Sequence, residues 1–374
     1  MRYMLISDFL FVLVMVLGIG VSLSSSSWLF MWVGMEMSLI GFVPIICGNS
    51  VFSRGGTGAS ESAMKYFVVQ AVGSSLLLFG GFSVFSASKM WDLGLLGESG
   101  GYMLYIGPLF IVFGLGVKLG VFPFHFWVPS VMGGMSWFGC MVLTSLQKIV
   151  PVFFLCVLLS LWGEDLIVKF VLLGSIGSSF VGGLGGINQT EIRAIMAYSS
   201  INHMGWLLMC VCSGVGAMLF YLLFYVLMSA GFFLILWVLG GDSVGQINVV
   251  GVGASGFERI FVVGAILSYM GMPPFLGFGV KWFAMSSFLG VFGSGAFPYF
   301  YFFLMFLGSL LSLSYYLMIF VALVMGSGGV FMKKGGSVVG LSWSWALVVI
   351  LVFVVSFLGG LELIFGGISD YMFV

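Results

Sequence analysis

The stretch Leu115-Gly-Val-Lys-Leu-Gly-Val-Phe-Pro-Phe-His-Phe-Trp-Val-Pro129 sets a lysine, a histidine and two prolines in an otherwise apolar run. A charged side chain inside a membrane is costly and by default indicates a functional site. A proline interrupts the helical hydrogen bonding, which transporters use to bring polar backbone to membrane depth. The stretch therefore predicts a broken helix near Pro123 with Lys118 beside the break. The simpler alternative is that Lys118 snorkels from a helix end.

The composition indicates a membrane protein. Of the 374 residues, 61% are hydrophobic and 6% are charged, whereas soluble domains carry about 25% charged residues. The 12 basic and 12 acidic residues balance to a net charge of zero, so there is no basic footprint for nucleic acid. No stretch is long and polar enough for a domain outside the membrane. We therefore predict a single membrane domain over residues 1–374.

Apolar runs of about 20 residues indicate spanning helices. The predicted fold is an all-α polytopic membrane protein with about eleven transmembrane helices, counted by that rule. The predicted spans are 4–22, 28–48, 64–87, 102–122, 136–161, 166–187, 191–213, 215–240, 259–284, 297–325 and 342–366.

The charges of the connecting loops predict an orientation. With eleven spans, the face of the N-terminus collects most of the basic residues: Arg2, Arg54, Lys65, Arg193, Arg259, Lys333 and Lys334. The opposite face carries only Lys89 and Lys169, beside several acidic residues. Basic loops favour the cytoplasmic-equivalent side, so we expect the N-terminus there and the C-terminus opposite.

The start of the chain lacks the pattern of a cleavable signal. Residues 4–21 are apolar but have neither the basic start nor the small-residue cleavage site of a signal peptide, so they are expected to form the first span. Residue usage is skewed towards 57 Gly, 41 Phe and 25 Met, against 8 Pro and 2 His. The codons of the abundant residues are rich in G and T. We therefore expect the gene to lie in a strand-biased organellar genome.

A second interrupted span indicates an internal repeat. The run Gly271-Met-Pro-Pro-Phe-Leu-Gly-Phe-Gly-Val-Lys281-Trp282 also combines proline with one lysine, five spans after the first. Because an odd number of spans inverts topology, we predict inverted repeats over 1–161 and 166–325 (spans 1–5 and 6–10). Broken helices are then expected near Pro123 and Pro273, with a further C-terminal helix over 342–366. Paired broken helices point to a transport site; the alternative is that both prolines only kink their helices.

Five ionisable residues are candidates for a proton relay: Glu36, Lys118, Lys148, Lys281 and His125. Each charge at mid-membrane costs about 2.5–3.5 kcal/mol on the insertion scale. One carboxylate cannot neutralise three lysines, and desolvation disfavours the ammonium form, so such lysines can take up and release protons. The alternative is that Glu36 forms a structural clip with one lysine while the others snorkel. His203, among Tyr198, Ser199 and Ser200, is expected to hydrogen-bond between helices.

The sequence offers little for redox chemistry of its own. The cysteines Cys47, Cys140, Cys156, Cys210 and Cys212 form no C-x-x-C pair, and two distant histidines do not suit a metal site. No nucleotide-binding fingerprint is present. We therefore expect no cofactor or metal to be bound by this chain, and any redox cofactor to belong to partner chains.

These motifs resemble the chain 2 family of mitochondrial NADH–ubiquinone oxidoreductase (respiratory complex I). The most specific match is Lys118-Leu-Gly…Pro123-Phe-His-Phe-Trp-Val-Pro129, and the last two spans match only in hydropathy. The other matching stretches are Trp32-Val-Gly-Met-Glu36-Met, Ala63-Met-Lys65-Tyr-Phe, Gln147-Lys148-Ile, the run from Gly186-Ile-Asn-Gln-Thr to Trp206, and Gly271-Met-Pro-Pro-Phe-Leu-Gly-Phe…Lys281-Trp282.

The resemblance implies an antiporter-like, proton-translocating subunit built from two inverted repeats. By motif, Glu36 and Lys118 would be the paired glutamate and lysine, Lys148 the central lysine and Lys281 the distal one. One residue departs from the pattern: Ser130 stands where the family usually has an acid.

The resemblance also implies the surroundings of the chain. NADH, FMN, iron–sulfur clusters and ubiquinone would be bound by partner subunits of the NADH:ubiquinone reductase, and the direct partners would be neighbouring membrane subunits and lipids such as cardiolipin. The expected location is the mitochondrial inner membrane, with the N-terminus on the matrix side and the C-terminus in the intermembrane space. Two alternatives stay open: a stand-alone cation/proton antiporter, and a structural membrane anchor without its own proton path.

Overall fold

The structure is a computed structural model that describes residues 6–47, 58–89, 91, 103–162, 165–239, 256–273, 275–293 and 295–325. In these parts of the chain the backbone is nearly all helical. The helices are α1 (Ile6–Ser24), α2 (Trp28–Cys47), α3 (Gly58–Ser88), α4 (Met103–Leu119), α5 (Trp127–Gly134), α6 (Trp137–Thr144), α7 (Leu146–Trp162), α8 (Asp165–Gly186), α9 (Ile192–Ser213), α10 (Val215–Leu239), α11 (Gly256–Met270), α12 (Leu276–Phe292) and α13 (Ala296–Met325).

The membrane class predicted from composition is confirmed. Among the described residues, seven helical segments are long and apolar enough to cross a membrane, the segment over α6 and α7 counting as one. Shorter apolar helices cover Phe9–Ser24, Ile106–Leu119 and Leu276–Phe292. The count of eleven spans and the inverted repeats therefore stay predictions, and the expected helix over 342–366 lies outside the described residues.

Helix is the form that an apolar membrane imposes on this chain, because every backbone polar group must be bonded within the protein. The serine side chains follow the same rule by donating to the carbonyl three or four residues earlier. The Ser38 hydroxyl donates to the Met35 carbonyl at 2.8 Å, and the Ser62 hydroxyl to the Gly58 carbonyl at 2.7 Å. A serine can therefore be buried inside the bundle because its hydroxyl has a hydrogen-bond acceptor in its own helix.

Small residues bring pairs of helices into backbone contact. A Cβ atom added to Gly18 of α1 would lie 2.6 Å from the Ser38 amide nitrogen and 2.7 Å from the Gly34 carbonyl oxygen of α2. At the contact of α8 with α9, Gly182 would meet the Asn202 amide nitrogen at 2.6 Å. Without a hydrophobic force between helices in lipid, such close packing supplies much of the attraction.

The central helix is α9, in which every residue from Ser199 to Val211 is buried. It contacts α5, α7, α8, α10, α12 and α13. Its buried residues include Asn202 and His203, so the largely apolar core of the bundle contains a few polar side chains on this helix. Polar residues that face the bundle interior rather than lipid are the usual sign of a pathway for ions.

The first helical interruption separates α4 from α5. Gly120 adopts a φ of +68°, which a side chain would oppose, and the Phe122–Pro123 peptide is cis. The carbonyl of Val117 accepts a hydrogen bond from the Trp127 indole nitrogen at 3.1 Å. The Lys118 carbonyl accepts one from the Gln70 side chain at 3.4 Å. Two carbonyls freed at the end of α4 are thus satisfied from other elements.

A second interruption lies between α11 and α12. It begins at Gly271, whose φ is +78°, and includes Pro273, whereas Pro274 lies outside the described residues. A third interruption, which the sequence reading missed, is the turn at Ser145 between α6 and α7. Each of the three buried lysines therefore lies within a short distance along the chain of a helix end.

Gly18→Ala should destabilise the protein by about 1–3 kcal/mol, because the added methyl group meets backbone atoms of α2 that cannot easily move. Gly20→Ala is the matched control: it lies on the same helix, and nothing lies within 4 Å of its added Cβ. We expect the control to be neutral or slightly stabilising. The apparent midpoint of thermal unfolding in detergent measures both, and equal midpoints would contradict the α1–α2 contact.

Candidate functional site

Lys118 and Glu36 form a buried ion pair between α4 and α2. The Lys118 Nζ lies 2.8 Å from the Glu36 Oε1 and donates a hydrogen bond to it. The lysine side chain is 4% exposed and the glutamate side chain 23%. The two residues are 82 positions apart in the chain, so tertiary packing brings them together.

The break after α4 fixes the position of Lys118. Lys118 lies in the last turn of α4, and the last backbone bonds of that helix are replaced by bonds from Trp127 and Gln70. A Cβ added to Gly73 of α3 would lie 3.0 Å from the Lys118 Cγ, so α3 holds the stem of the lysine at close range. This contact restricts the conformations in which the Lys118 ammonium group can reach Glu36.

A small polar cavity joins Lys118 to Lys148. Ser38, Gln70 and Gln147 line it together with both lysines, and its space for water is about 20 Å³. The Gln147 amide donates to the Ser38 carbonyl at 3.3 Å, and the Ser38 hydroxyl approaches the Gln147 side-chain oxygen at 3.4 Å. A polar cavity can hold one water once its volume exceeds roughly 10–15 Å³. The cavity is therefore large enough for one water molecule.

Lys148 lies just after the turn at Ser145, near the start of α7. It is 6% exposed, and its Nζ lies 5.6 Å from the centre of the Tyr225 ring of α10. In the described part of the chain no carboxylate lies within ion-pair distance of it. A cation over an aromatic face gains about 0.5–2 kcal/mol, which is less than the cost of burying the charge. Lys148 is thus a buried amine that the surrounding protein does not hold permanently charged.

His203 lies between the two ends of the site. It is 2% exposed, and its Nδ1 is 3.0 Å from the Tyr221 hydroxyl. Its ring centre is 5.4 Å from that of Tyr225 and 5.3 Å from that of Tyr269. Since Tyr225 also contacts Lys148, the histidine continues the polar row that begins at Glu36.

Lys281 ends the row on α12. Its Nζ donates to the carbonyl of Met270, the last residue of α11, at 3.2 Å. The same atom lies 5.7 Å from the centre of the Trp206 ring of α9. Gly271 lies against the lysine, because a Cβ there would be 3.1 Å from the Nζ. The interruption between α11 and α12 therefore supplies both the acceptor and the space for this lysine.

His125 occupies the first interruption. It is 6% exposed, with its ring 4.0 Å from that of Phe126 and 6.2 Å from that of Phe122. Within the described residues no hydrogen bond or ion pair joins it to the other four predicted site residues. The histidine is therefore near the break that carries Lys118, and its part in a relay stays a prediction.

Five polar residues of this region are not in the predicted relay: Ser38, Gln70, Gln147, His203 and Tyr225. The sequence reading assigned His203 to hydrogen bonding between helices, and its Tyr221 contact is of that kind. Gln147 directly precedes Lys148, and this side-chain amide next to a buried lysine could have identified Gln147 as a site residue from the sequence. No local pattern distinguishes Tyr225 from the other tyrosines of apolar runs. Within the described residues, no group of three or more His, Cys, Asp or Glu could hold a metal ion.

Solved structures with the same fold define the class of protein. A chain of respiratory complex I from Thermus thermophilus with bound aureothin superposes with a TM-score of 0.81 at 24% identity, covering 97% of this chain and 79% of that one. A chain of the Mrp complex from Dietzia sp. DQ12-45-1b gives a TM-score of 0.80 at 17% identity, covering 94% and 74%. This chain thus shares its fold with a chain of a respiratory complex I and with a chain of an Mrp complex.

Sequence relatives narrow the class to one family. The family described as NADH:quinone oxidoreductase/Mrp antiporter, transmembrane, matches residues 25–312. NADH-ubiquinone oxidoreductase chain 2 of Branchiostoma lanceolatum is 32% identical over 290 residues, 78% of each chain, and that of Anopheles gambiae is 35% identical over 256 residues, 68% of this chain and 69% of the relative. The chain belongs to this antiporter-like family of complex I membrane subunits, and the predicted resemblance to chain 2 is confirmed.

Gly271→Ala should cost stability in two ways, although Gly271 and Gly293 both have a positive φ, of +78° and +72°. Each substitution costs roughly 1–3 kcal/mol of backbone strain. Only the Gly271 methyl group also crowds Lys281, since nothing lies within 4 Å of a Cβ at Gly293. Replacing Lys281 by Ala should therefore lower the cost of Gly271→Ala and leave that of Gly293→Ala unchanged in double-mutant cycles of thermal unfolding. A zero coupling between Gly271 and Lys281 would contradict the contact.

Proposed function

We propose that this chain is a proton-translocating, antiporter-like membrane subunit of mitochondrial respiratory complex I. The observation that carries the proposal is the buried Lys118–Glu36 pair, which opens on a polar cavity that reaches Lys148. The proposed relay runs from Glu36 and Lys118 through Lys148 to His203 and Lys281. Oxidation of NADH and reduction of ubiquinone in partner subunits drive it.

The opening and closing of the ion pair would control the first proton transfer. While Glu36 is within 2.8 Å, its charge holds the proton on Lys118. If the carboxylate withdraws, the ammonium ion is left buried without a partner, and the neutral amine becomes the favoured form. The proton then passes to the Lys148 amine through the Gln147-lined cavity. In this proposal, withdrawal of the Glu36 carboxylate is sufficient to start the transfer, and no redox group in this chain is needed.

The second transfer uses the aromatic and histidine groups of α9 and α10. Lys148 faces Tyr225, Tyr225 packs on His203, and a neutral histidine has one nitrogen that accepts a proton and one that donates. From His203 the proton continues to Lys281, whose Nζ is held at the second helix interruption. His125 in the first interruption is proposed to exchange protons with the Lys118 end.

The proposed function includes the architecture that the sequence predicts. We propose eleven spans, inverted repeats over 1–161 and 166–325, broken helices near Pro123 and Pro273, and one membrane domain over 1–374. The chain lies in the mitochondrial inner membrane with its N-terminus in the matrix. Its partners are the neighbouring membrane subunits and lipids such as cardiolipin. NADH, FMN, iron–sulfur clusters and ubiquinone belong to other subunits.

Lys118→Met and Glu36→Gln should each lower the rate of proton pumping by about tenfold or more, because loss of a positioned proton-transfer group costs at least that much. The assembled complex in sealed vesicles, given NADH and a quinone, provides the measurement. Lys65→Met is the matched control, since Lys65 forms an exposed pair with Glu61 at 2.6 Å on α3. We expect that control to pump as the unchanged complex does.

The same measurement separates the proposal from a structural anchor. An anchor predicts that Lys118→Met, Lys148→Met and Lys281→Met all assemble and pump at the normal ratio of protons to electrons. That result would overturn the proton relay. Loss of pumping in all three, with the Lys65→Met control intact, supports it.

A stand-alone cation/proton antiporter is the second candidate, and the similarity in fold to a chain of an Mrp complex favours it. It predicts sodium-dependent proton exchange by the isolated chain in vesicles, without NADH. We expect no such exchange, because three buried lysines and one carboxylate make a poor site for a metal cation. Sodium-driven acidification that Glu36→Gln abolishes would favour the antiporter instead.

His203→Phe should interrupt the relay between Lys148 and Lys281 and lower pumping by about tenfold or more. The ring keeps most of the packing against Tyr225 and Tyr269, so assembly should be preserved. Tyr221→Phe is the control, because it removes only the hydroxyl that contacts the His203 Nδ1. A His203→Phe complex that pumps as well as Tyr221→Phe would exclude the histidine from the path.

A further inference from the structure

A row of tyrosines leads away from the relay between α9, α11 and α13. Tyr315 and Tyr316 of α13 are 1% and 2% exposed, and their ring centres are 4.7 Å apart. Tyr269 of α11 lies 6.3 Å from the Tyr316 ring and 5.3 Å from the His203 ring. We call Tyr315, Tyr316 and Tyr269 the tyrosine row. It is continuous from Tyr315 to the histidine of the relay.

The polar atoms along the row exceed what aromatic packing requires. The hydroxyls of Tyr315 and Tyr316 are fully buried and interact with each other, that of Tyr315 also with Ser312 and that of Tyr316 also with Ser199. Within the described residues the Asn202 side-chain oxygen has no hydrogen-bond partner, although its nitrogen donates to the Ser312 hydroxyl at 3.1 Å. Buried polar groups in proteins are normally satisfied, and ordered water often satisfies them.

The outer end of the row lies at the end of α8. Gly186, the last residue of α8, packs on Tyr315, because an added Cβ would be 2.6 Å from its ring. One turn earlier, Gly183 packs on the Gly308 and Leu311 region of α13, so α8 and α13 run in the same direction. The exposed connection 187–191 follows Gly186 directly. Tyr315 is therefore next to the connection between α8 and α9, and His203 is the inner end of the row.

Tyr301 of α13 is a buried tyrosine outside the tyrosine row and serves as a comparison. It is buried on α13, and its hydroxyl is hydrogen-bonded to the Ser175 hydroxyl of α8. Its ring stacks on that of Phe288 at 4.9 Å, away from His203. Its hydroxyl is thus bonded within the α8–α13 contact and does not belong to the tyrosine row.

We propose that the tyrosine row is the inlet by which protons reach His203 from the membrane face that carries the α8–α9 connection. This inference rests on the proposed function, since it supplies protons to His203 of the proposed relay in addition to those that arrive from Lys148. Each phenol oxygen accepts a proton from the outer side while its own hydrogen passes inward, so every phenol stays neutral. Water bridges the gaps between hydroxyls, and the proton ends on His203. Under the predicted orientation, this face is the matrix face.

The test compares hydroxyl-deleted variants in the assembled complex in sealed vesicles. Tyr315→Phe and Tyr316→Phe keep the rings and remove only the groups that would conduct. We expect each to lower the rate of proton pumping by about tenfold, with an unchanged thermal unfolding midpoint. Tyr301→Phe is the matched control and should pump normally, although it too loses a buried hydroxyl.

Lys148→Met in the same series distinguishes two kinds of failure. If Lys148→Met loses pumping while both α13 tyrosine variants keep it, the relay stands and the inlet is overturned. If none of these variants loses pumping, the proposed function and the inlet fall together. Equal losses in Tyr301→Phe and Tyr316→Phe would assign the effect to packing and would also overturn the inlet.

Discussion

The ion pair between Lys118 and Glu36 is the interaction on which the rest of the site depends. Taking both charges into the membrane costs about 5–7 kcal/mol on the insertion scale. At 2.8 Å their attraction is about 6 kcal/mol for an effective dielectric constant of 20. The two magnitudes nearly cancel. The pair therefore adds little net stability, as is common for buried ion pairs, but opening it leaves a buried charge without a partner unless that charge is neutralised by proton transfer.

Helix interruptions and tight helix contacts together allow the Lys118–Glu36 pair to be buried. Glycines such as Gly73 and Gly182 bring the backbones close and leave little room for water between helices. Polar space then remains where a helix stops, as at Gly120, Ser145 and Gly271. The freed carbonyls at these points are bonded by side chains, among them that of Lys281. Buried charge and backbone irregularity are thus confined to the same places.

The sequence alone predicts the helical membrane class and the residues that are costly to bury, because both follow from run length and residue type. It does not predict which buried groups meet. Glu36 and Lys118 are 82 positions apart, and their pairing was implied by family resemblance rather than by spacing. No proline lies at the turn at Ser145, so the sequence does not indicate a break there. Tyr225 lies in an apolar run that resembles the others. These features depend on tertiary packing, which a single sequence does not show.

The unequal numbers of acids and bases constrain how charge can be distributed along the site. Of the three buried lysines, only Lys118 has a carboxylate partner among the described residues. Lys148 faces a tyrosine ring and Lys281 a carbonyl and a tryptophan ring, and such contacts gain less than a buried charge costs. The proposed relay requires that a proton on one lysine make a proton on the next more costly, so that the lysines titrate as a coupled set. Under that proposal, a change in the Glu36 pair is passed along the row of lysines.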